Sequence, residues 1–298
     1  MIRVAPFTFA LLACFLALAM PQAGLAHGIP LRICIAEAAR PAAFDCSGRQ
    51  VDHGSGDFIA RLDFAPTPSA RHDPLVLRYP SIWQDSARIT FAYADGSRQQ
   101  VAYSSAQTVR HITMGGIMQF DVPIGEAPLT GVTIAVRNSG NYRGVVLGAE
   151  IMRRRTADQI HHQHVAAYAA FGGLALALLV FNFSLWTALR HRFQLHYCGM
   201  VAALVIYAAS ASGALMQILP GIGGNDRLRM NIIMLALFGV SAIYFVRRFF
   251  DDDVVGPRLR RLISAVSIAA LLCALWFAAL SPWHIAWAAR AFSLAMIL

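Results

Sequence analysis

Val165-Ala-Ala-Tyr-Ala-Ala-Phe-Gly-Gly-Leu-Ala-Leu-Ala-Leu-Leu-Val-Phe-Asn-Phe-Ser-Leu-Trp-Thr-Ala-Leu189 runs for twenty-five residues without a charged side chain. As an α-helix it would be about 37 Å long, more than the ~30 Å hydrocarbon core of a bilayer. It therefore reads as a transmembrane span. Further apolar runs follow at 195–219, 232–250 and 262–280. A fifth, incomplete one covers 285–298 and is still apolar at Leu298, so the expectation is a chain cut from a longer protein. Residues 161–298 are thus expected to form an all-α polytopic transmembrane bundle.

Composition agrees with a membrane protein. The chain is 57% apolar and only 14% charged, against about 25% charged residues in globular domains. Its mean hydropathy is +0.52. The net charge of +9 comes from 25 basic residues, all of them arginine. They are spread along the chain, and many flank apolar runs. No clustered basic face with interleaved aromatics occurs, so no nucleic-acid partner is expected.

Upstream of the spans the pattern changes twice. Residues 1–26 have a signal-peptide layout: Arg3, an apolar stretch over 5–20, the helix breaker Pro21, and small residues at Gly24 and Ala26. Cleavage after Ala26 is expected. Residues 27–160 then read as short strands. Phe58-Ile-Ala-Arg-Leu-Asp-Phe64 alternates apolar and polar residues as a half-buried strand does. Asp95-Gly96 sits between two alternating runs, a hairpin signal because the turn needs residues that tolerate positive φ. Seven or eight such strands with almost no helical period predict a β-sandwich of jelly-roll type outside the membrane. In an oxidising compartment its two cysteines, Cys34 and Cys46, are expected to form a disulfide.

No motif marks a site in this domain. Trp83, Arg110, Arg137, Asn141 and Tyr142 are the residue types that suit a carbohydrate or carboxylate: aromatic faces for stacking and planar donors for oxygens. Core or solvated roles for the same residues stay open. At the juncture, His161 and His164 are spaced i, i+3 and could share a helix face as metal or proton sites. A solvated helix end at the membrane surface explains them equally. No cofactor is expected.

Exporting the sandwich sends the first span inward. Arg190, Arg192, Arg247, Arg248, Arg258, Arg260 and Arg261 then fall inside, and Arg227 and Arg229 outside, as the positive-inside bias requires. The Asp251-Asp252-Asp253 run reads as a charge-balanced inner loop. The four complete spans contain no Lys, Asp or Glu, whereas proton relays and ion-coupled transport depend on ionisable groups there. Small and polar residues remain, with Gly172, Gly173, Asn182 and Gly213 as the expected helix-packing positions. Neither Gly-x-Ser-x-Gly nor His-Glu-x-x-His nor an intramembrane Asp pair occurs. The bundle reads as a packed transmitter, and no catalytic residue is assigned.

The chain resembles the bacterial seven-transmembrane receptors with diverse intracellular signalling modules, of the subclass with a jelly-roll extracellular domain. The likeness rests on Ile89-Thr-Phe-Ala-Tyr-Ala-Asp-Gly96, Phe120-Asp-Val-Pro123 and Arg143-Gly-Val-Val-Leu147 outside the membrane. Within it, Phe171-Gly-Gly-Leu174, Val180-Phe-Asn-Phe-Ser-Leu185, Leu195-His-Tyr197, Gly213 and Phe245-Val-Arg-Arg-Phe-Phe250 carry it. It implies a bacterial inner-membrane sensor with a periplasmic domain that binds a small ligand, such as a carbohydrate. A cytoplasmic module, diguanylate cyclase (GGDEF) or histidine kinase, would be the output. A homodimer is compatible with this reading. The alternatives from other classes are a transporter or transporter-associated protein, and an envelope carbohydrate-binding protein. The chain departs from the family in having four complete spans and no output domain.

Overall fold

The computed structural model describes residues 28–47, 50, 53, 55–141, 144–219, 221–249 and 256–280. The leader, Tyr142, the Asp251–Asp253 run and the fifth apolar run lie outside these residues.

Nine strands are described: β1 (Arg32–Glu37), β2 (Ser55–Thr67), β3 (Leu75–Tyr79), β4 (Ser86–Tyr93), β5 (Arg98–Tyr103), β6 (Ile112–Thr113), β7 (Ile117–Asp121), β8 (Leu129–Gly140) and β9 (Glu150–Arg153). A six-residue helix, α1 (Ser105–Arg110), separates β5 from β6. The strands form two antiparallel sheets, ordered β1-β2-β8-β4-β5 and β6-β7-β3-β9. The period-2 alternation decides which side chains meet between them. Phe58, Ala60 and Leu62 of β2, Ile89, Phe91 and Tyr93 of β4, and Val132, Ile134 and Val136 of β8 point inward. They pack on Leu75, Leu77 and Tyr79 of β3 and on Met118 and Phe120 of β7. Burying each large apolar side chain contributes about 1.5–3 kcal/mol, so this shared interior holds the sandwich closed.

The hairpin at Asp95 forms as its sequence predicts. The Asp95 carboxylate accepts hydrogen bonds from the Ser97 hydroxyl (2.6 Å) and backbone N–H (2.9 Å). Those bonds hold its pKa below the usual carboxylate value. Cys34 of β1 is disulfide-bonded to Cys46, with Cα atoms 4.1 Å apart. Closing a loop of that sequence separation, 12 residues, contributes roughly 3 kcal/mol in the chain-entropy model.

The helical part comprises α2 (Arg154–Leu189), α3 (Arg192–Ser212), a short α4 (Ala214–Ile218), α5 (Gly224–Phe249) and α6 (Pro257–Leu280). Four of these, α2, α3, α5 and α6, are long and apolar enough to cross a membrane. Helix α3 packs most extensively on α5, and α5 in turn on α6. Small side chains permit close approach at the second interface, where Ala236 and Ala274 are buried. Two polar bonds lock α3 to α5: Asn231 Nδ2 donates to the Tyr207 carbonyl (3.2 Å), and Ser210 Oγ donates to the Arg227 carbonyl (3.2 Å).

Helix α2 differs from the expected span. Its 36 residues make about 54 Å, far more than a bilayer core requires. It starts at Arg154, so the expected boundary at 160 falls inside it. Its first turns lie on the outer face of β3, where Ala157 and Ile160 pack on Val76 and Met152. That contact explains why every residue of β3 is buried. Arg153 and Arg154 anchor this docking. Arg153 pairs with Asp73 (3.3 Å), and Arg154 pairs with Asp121 of β7.

The expected packing positions have different surroundings among the described residues. A Cβ at Gly172 or Gly173 would meet nothing within 4 Å among the described residues. Asn182 bonds back to Leu178 in its own helix (2.9 Å). Gly213 is a helix stop: it takes φ +82°, ends α3, and turns the chain toward the sandwich.

Candidate functional site

A network of polar groups lies at the seam where the sandwich meets the ends of α3 and α5. After Gly213 the chain enters α4, and Leu215 and Met216 join the hydrophobic interior of the sandwich. Beside them, Gly115 and Gly116 both donate backbone N–H groups to the carbonyl of Ser212, each at 3.0 Å. His164 of α2 donates Nδ1–H to the Met114 carbonyl in the same β6–β7 turn (3.1 Å). One β-turn is therefore held by α2 and α3 together.

The loop between β3 and β4 makes the second contact. Asp85 accepts Nδ2 of Asn138, at the end of β8, on one carboxylate oxygen, and Nδ2 of Asn225, in the first turn of α5, on the other (2.8 Å). Asn138 is held for this by a left-handed backbone, φ +52°, and by its own N–H to Asp57 (2.8 Å). Gln84 donates Nε2 to the hydroxyl of Tyr79 (2.9 Å). Complete burial pushes that phenol's pKa up, so the hydroxyl stays protonated.

Arg227 lies at the centre of the seam. It is 0% exposed. One guanidinium nitrogen, Nη2, donates to the Ile82 carbonyl (3.1 Å), and the guanidinium lies 4.8 Å from the ring centroid of Trp83. No carboxylate among the described residues forms an ion pair with it, and its Nε and Nη1 have no hydrogen-bond partner. Three buried acceptors on neighbouring residues are also unpartnered: Oε1 of Gln84, Oδ1 of Asn138 and Oδ1 of Asn225. Folded proteins leave few such atoms unsatisfied, and each one calls for a reason.

The residues expected from sequence divide between this seam and elsewhere. Trp83 and Asn141 come together: Asn141 Oδ1 accepts the Trp83 N–H (3.2 Å) and Asn141 Nδ2 donates to the Trp83 carbonyl (3.1 Å). Asn141 is thus a buried clamp on the loop that carries Trp83. Arg137 lies in register with Ser86, with its side chain exposed, and its carbonyl accepts the Asp85 N–H (3.1 Å). Arg110 is exposed in the last turn of α1, away from these bonds. His164 is spent on Met114, and no group of three or more His, Cys, Asp or Glu that could hold a metal occurs among the described residues.

Arg227, Asp85 and Asn225 were missed. The sequence held one signal for Arg227. Positions two apart on a helix face roughly opposite ways, so on a helix with one face packed Arg227 and Arg229 cannot both face water. Arg229 is the half-exposed one and pairs with Asp226 (2.9 Å).

A β-sandwich seated on four membrane-length helices through a polar seam defines a multi-pass membrane protein with an attached extramembranous domain. Residues 165–298, rather less than half of the chain, match the family model described as 7TM diverse intracellular signalling, so the helical part is similar to that family. No curated protein matches the chain.

Proposed function

We propose that this chain is the sensor and transmitter part of a bacterial inner-membrane receptor. The sandwich, of jelly-roll type, stands in the periplasm and binds a small ligand, with carbohydrates and carboxylates as the candidate classes. The helices relay the bound state to a cytoplasmic output module, a diguanylate cyclase first and a histidine kinase next. One observation carries this reading: sandwich and helices share an interior and a hydrogen-bonded seam. Leu215 and Met216 pack in the sandwich, and Ser212 holds the β6–β7 turn. A change of sandwich packing then has to move the outer ends of α3 and α5. A ligand shifts such an equilibrium only by its differential affinity for the two arrangements. Strands that cross repeatedly between the two sheets support the jelly-roll assignment.

The test begins with the coding region beyond Leu298. Further spans followed by a cyclase or kinase module support the proposal, and the nucleotide or phosphoryl product of the full-length protein is then measured with and without ligand. A stop codon shortly after Leu298 sinks it.

A further inference from the structure

We infer that the seam itself is a ligand site, built jointly by the sandwich and α5, for a small carboxylate that carries hydroxyl or amine donors. Arg227 supplies the first half of the case. It is fully buried, faces no carboxylate among the described residues, and has Nε and Nη1 free. Nε–H and Nη1–H lie on different edges of the guanidinium, so a carboxylate pairs one of them with the second N–H of Nη2, and the other takes a further acceptor. The Trp83 ring already lies against it, so what the remaining N–H groups require is an acceptor.

The second half comes from the atoms beside it. The free oxygens of Gln84, Asn138 and Asn225 are acceptors, and they border the Asp85 bridge that joins β8 to α5. Acceptors left free in a buried place call for donors from the ligand. A simple anion such as sulfate or acetate satisfies the arginine and leaves these oxygens bare. A neutral sugar can bond to both sets through its hydroxyls but leaves the buried guanidinium charge uncompensated. A hydroxy acid, a sugar acid or an amino acid satisfies both.

Burial of Arg227 gives the site a consequence. Its ligand enters only when the loop carrying Trp83 and the first turn of α5 part, so binding selects an opened seam. Binding does not depend on the receptor reading. Only its effect on an output rests on that reading.

The experiment uses the whole chain in lipid nanodiscs, titrated with L-malate, D-glucuronate, L-glutamate, acetate, glucose and sulfate, and read by thermal unfolding and tryptophan fluorescence. At least one of the first three raises the unfolding temperature, whereas acetate, glucose and sulfate do not. Arg227→Gln weakens that binding by about tenfold or more. Trp83→Phe keeps a ring under the guanidinium and retains binding, but loses the fluorescence response. If Arg227→Gln fails to fold, the wild-type titration and Trp83→Phe decide alone. No shift with any of the three carboxylates overturns the site, and so does an equal shift with acetate or sulfate. A shift with glucose alone overturns the site but leaves the receptor reading standing. Carboxylate binding without a change in the full-length protein's output leaves the site standing and sinks the relay.

Discussion

Gly116, in the β6–β7 turn, donates its backbone N–H to the carbonyl of Ser212, the last residue of α3, at 3.0 Å. The bond joins an element of the sandwich to a membrane helix with no side chain between them. Such a contact transmits a displacement directly, because neither partner has a rotamer that can absorb it.

Replacing Gly116 tests how much the seam depends on that approach. Gly116 has φ +71°, and a Cβ there would lie 2.4 Å from the carbonyl oxygen of Ala211. The left-handed backbone alone costs a residue with a Cβ roughly 1–2 kcal/mol, and the clash adds to it. Gly116→Ala is expected to lower stability by about 2–4 kcal/mol, measured by thermal unfolding of the whole chain in nanodiscs. A drop no larger than that of an exposed substitution, within about 0.5 kcal/mol, would show that the turn simply moves away from α3.

Asp85 is the other mechanical link, because its two carboxylate oxygens hold Asn138 and Asn225 on opposite sides of the seam. A hydrogen bond to a charged group contributes about 1.5–3 kcal/mol. Asp85→Ala is therefore expected to destabilise the chain by about 2–4 kcal/mol and to speed amide exchange in the first turn of α5. Asp63→Ala is the comparison. Among the described residues Asp63 pairs with Arg61, and both are about half exposed, so its loss should cost under about 1 kcal/mol. Equal effects at the two sites would remove Asp85 from any coupling role.

The sequence made the layers legible and left the seam hidden, for a physical reason. Period-2 alternation marks β2 and β4 because one side of each strand faces an interior. A run such as 165–189 marks a span because nothing polar interrupts it. The six residues of α1 are too few to show a helical period. The start of α2 was read late because Arg154 and Arg155 look like loop residues until a sheet lies beneath them. Asp85, Asn138 and Asn225 come from three distant stretches, and no local pattern announces that they will meet. The chemistry of Trp83 and Asn141 singles them out in the sequence, and the structure puts them side by side. Arg110 has the same kind of chemistry and lies apart. Only Arg227 left a local trace, in its spacing from Arg229.

His111 gives the sandwich a pH dependence. Its ring stacks on Phe120 (4.8 Å between centroids) and meets Tyr103 edge-on (4.5 Å), and its Nδ1–H donates to the Gln119 carbonyl (3.2 Å). Burial lowers its pKa below the ordinary value of 6.5, outweighing the Gln119 carbonyl and the negative field of Asp121. The unfolded chain therefore takes up a proton at higher pH than the folded one. Stability from the neutral ring is present in full above about pH 6.5 and is lost as pH falls from there through the folded-state pKa. Unfolding midpoints between pH 7.5 and 5 should fall in the native chain. In His111→Phe, which keeps the stack but cannot charge, the part of that fall due to this ring should vanish. Identical profiles would assign the dependence to other groups.

The shared interior makes a prediction about cooperativity. Leu215 and Met216 belong in sequence to the segment after a membrane helix, yet they share one buried apolar cluster with Ile82 and Ile112 of the sandwich. Truncating a buried Leu or Met to alanine costs about 2–5 kcal/mol, through lost transfer energy and the cavity left behind. If sandwich and helices were independent, Leu215→Ala and Met216→Ala would loosen the end of α3 alone. Because the side chains sit in the sandwich, each is expected to lower the unfolding free energy of the sandwich by about 2–4 kcal/mol, the lower part of that range because both retain slight exposure. Hydrogen exchange followed by peptide separates the two cases. Faster exchange in β3, β7 and the outer turns of α3 together supports a single unit, and exchange that rises only in the helix refutes it.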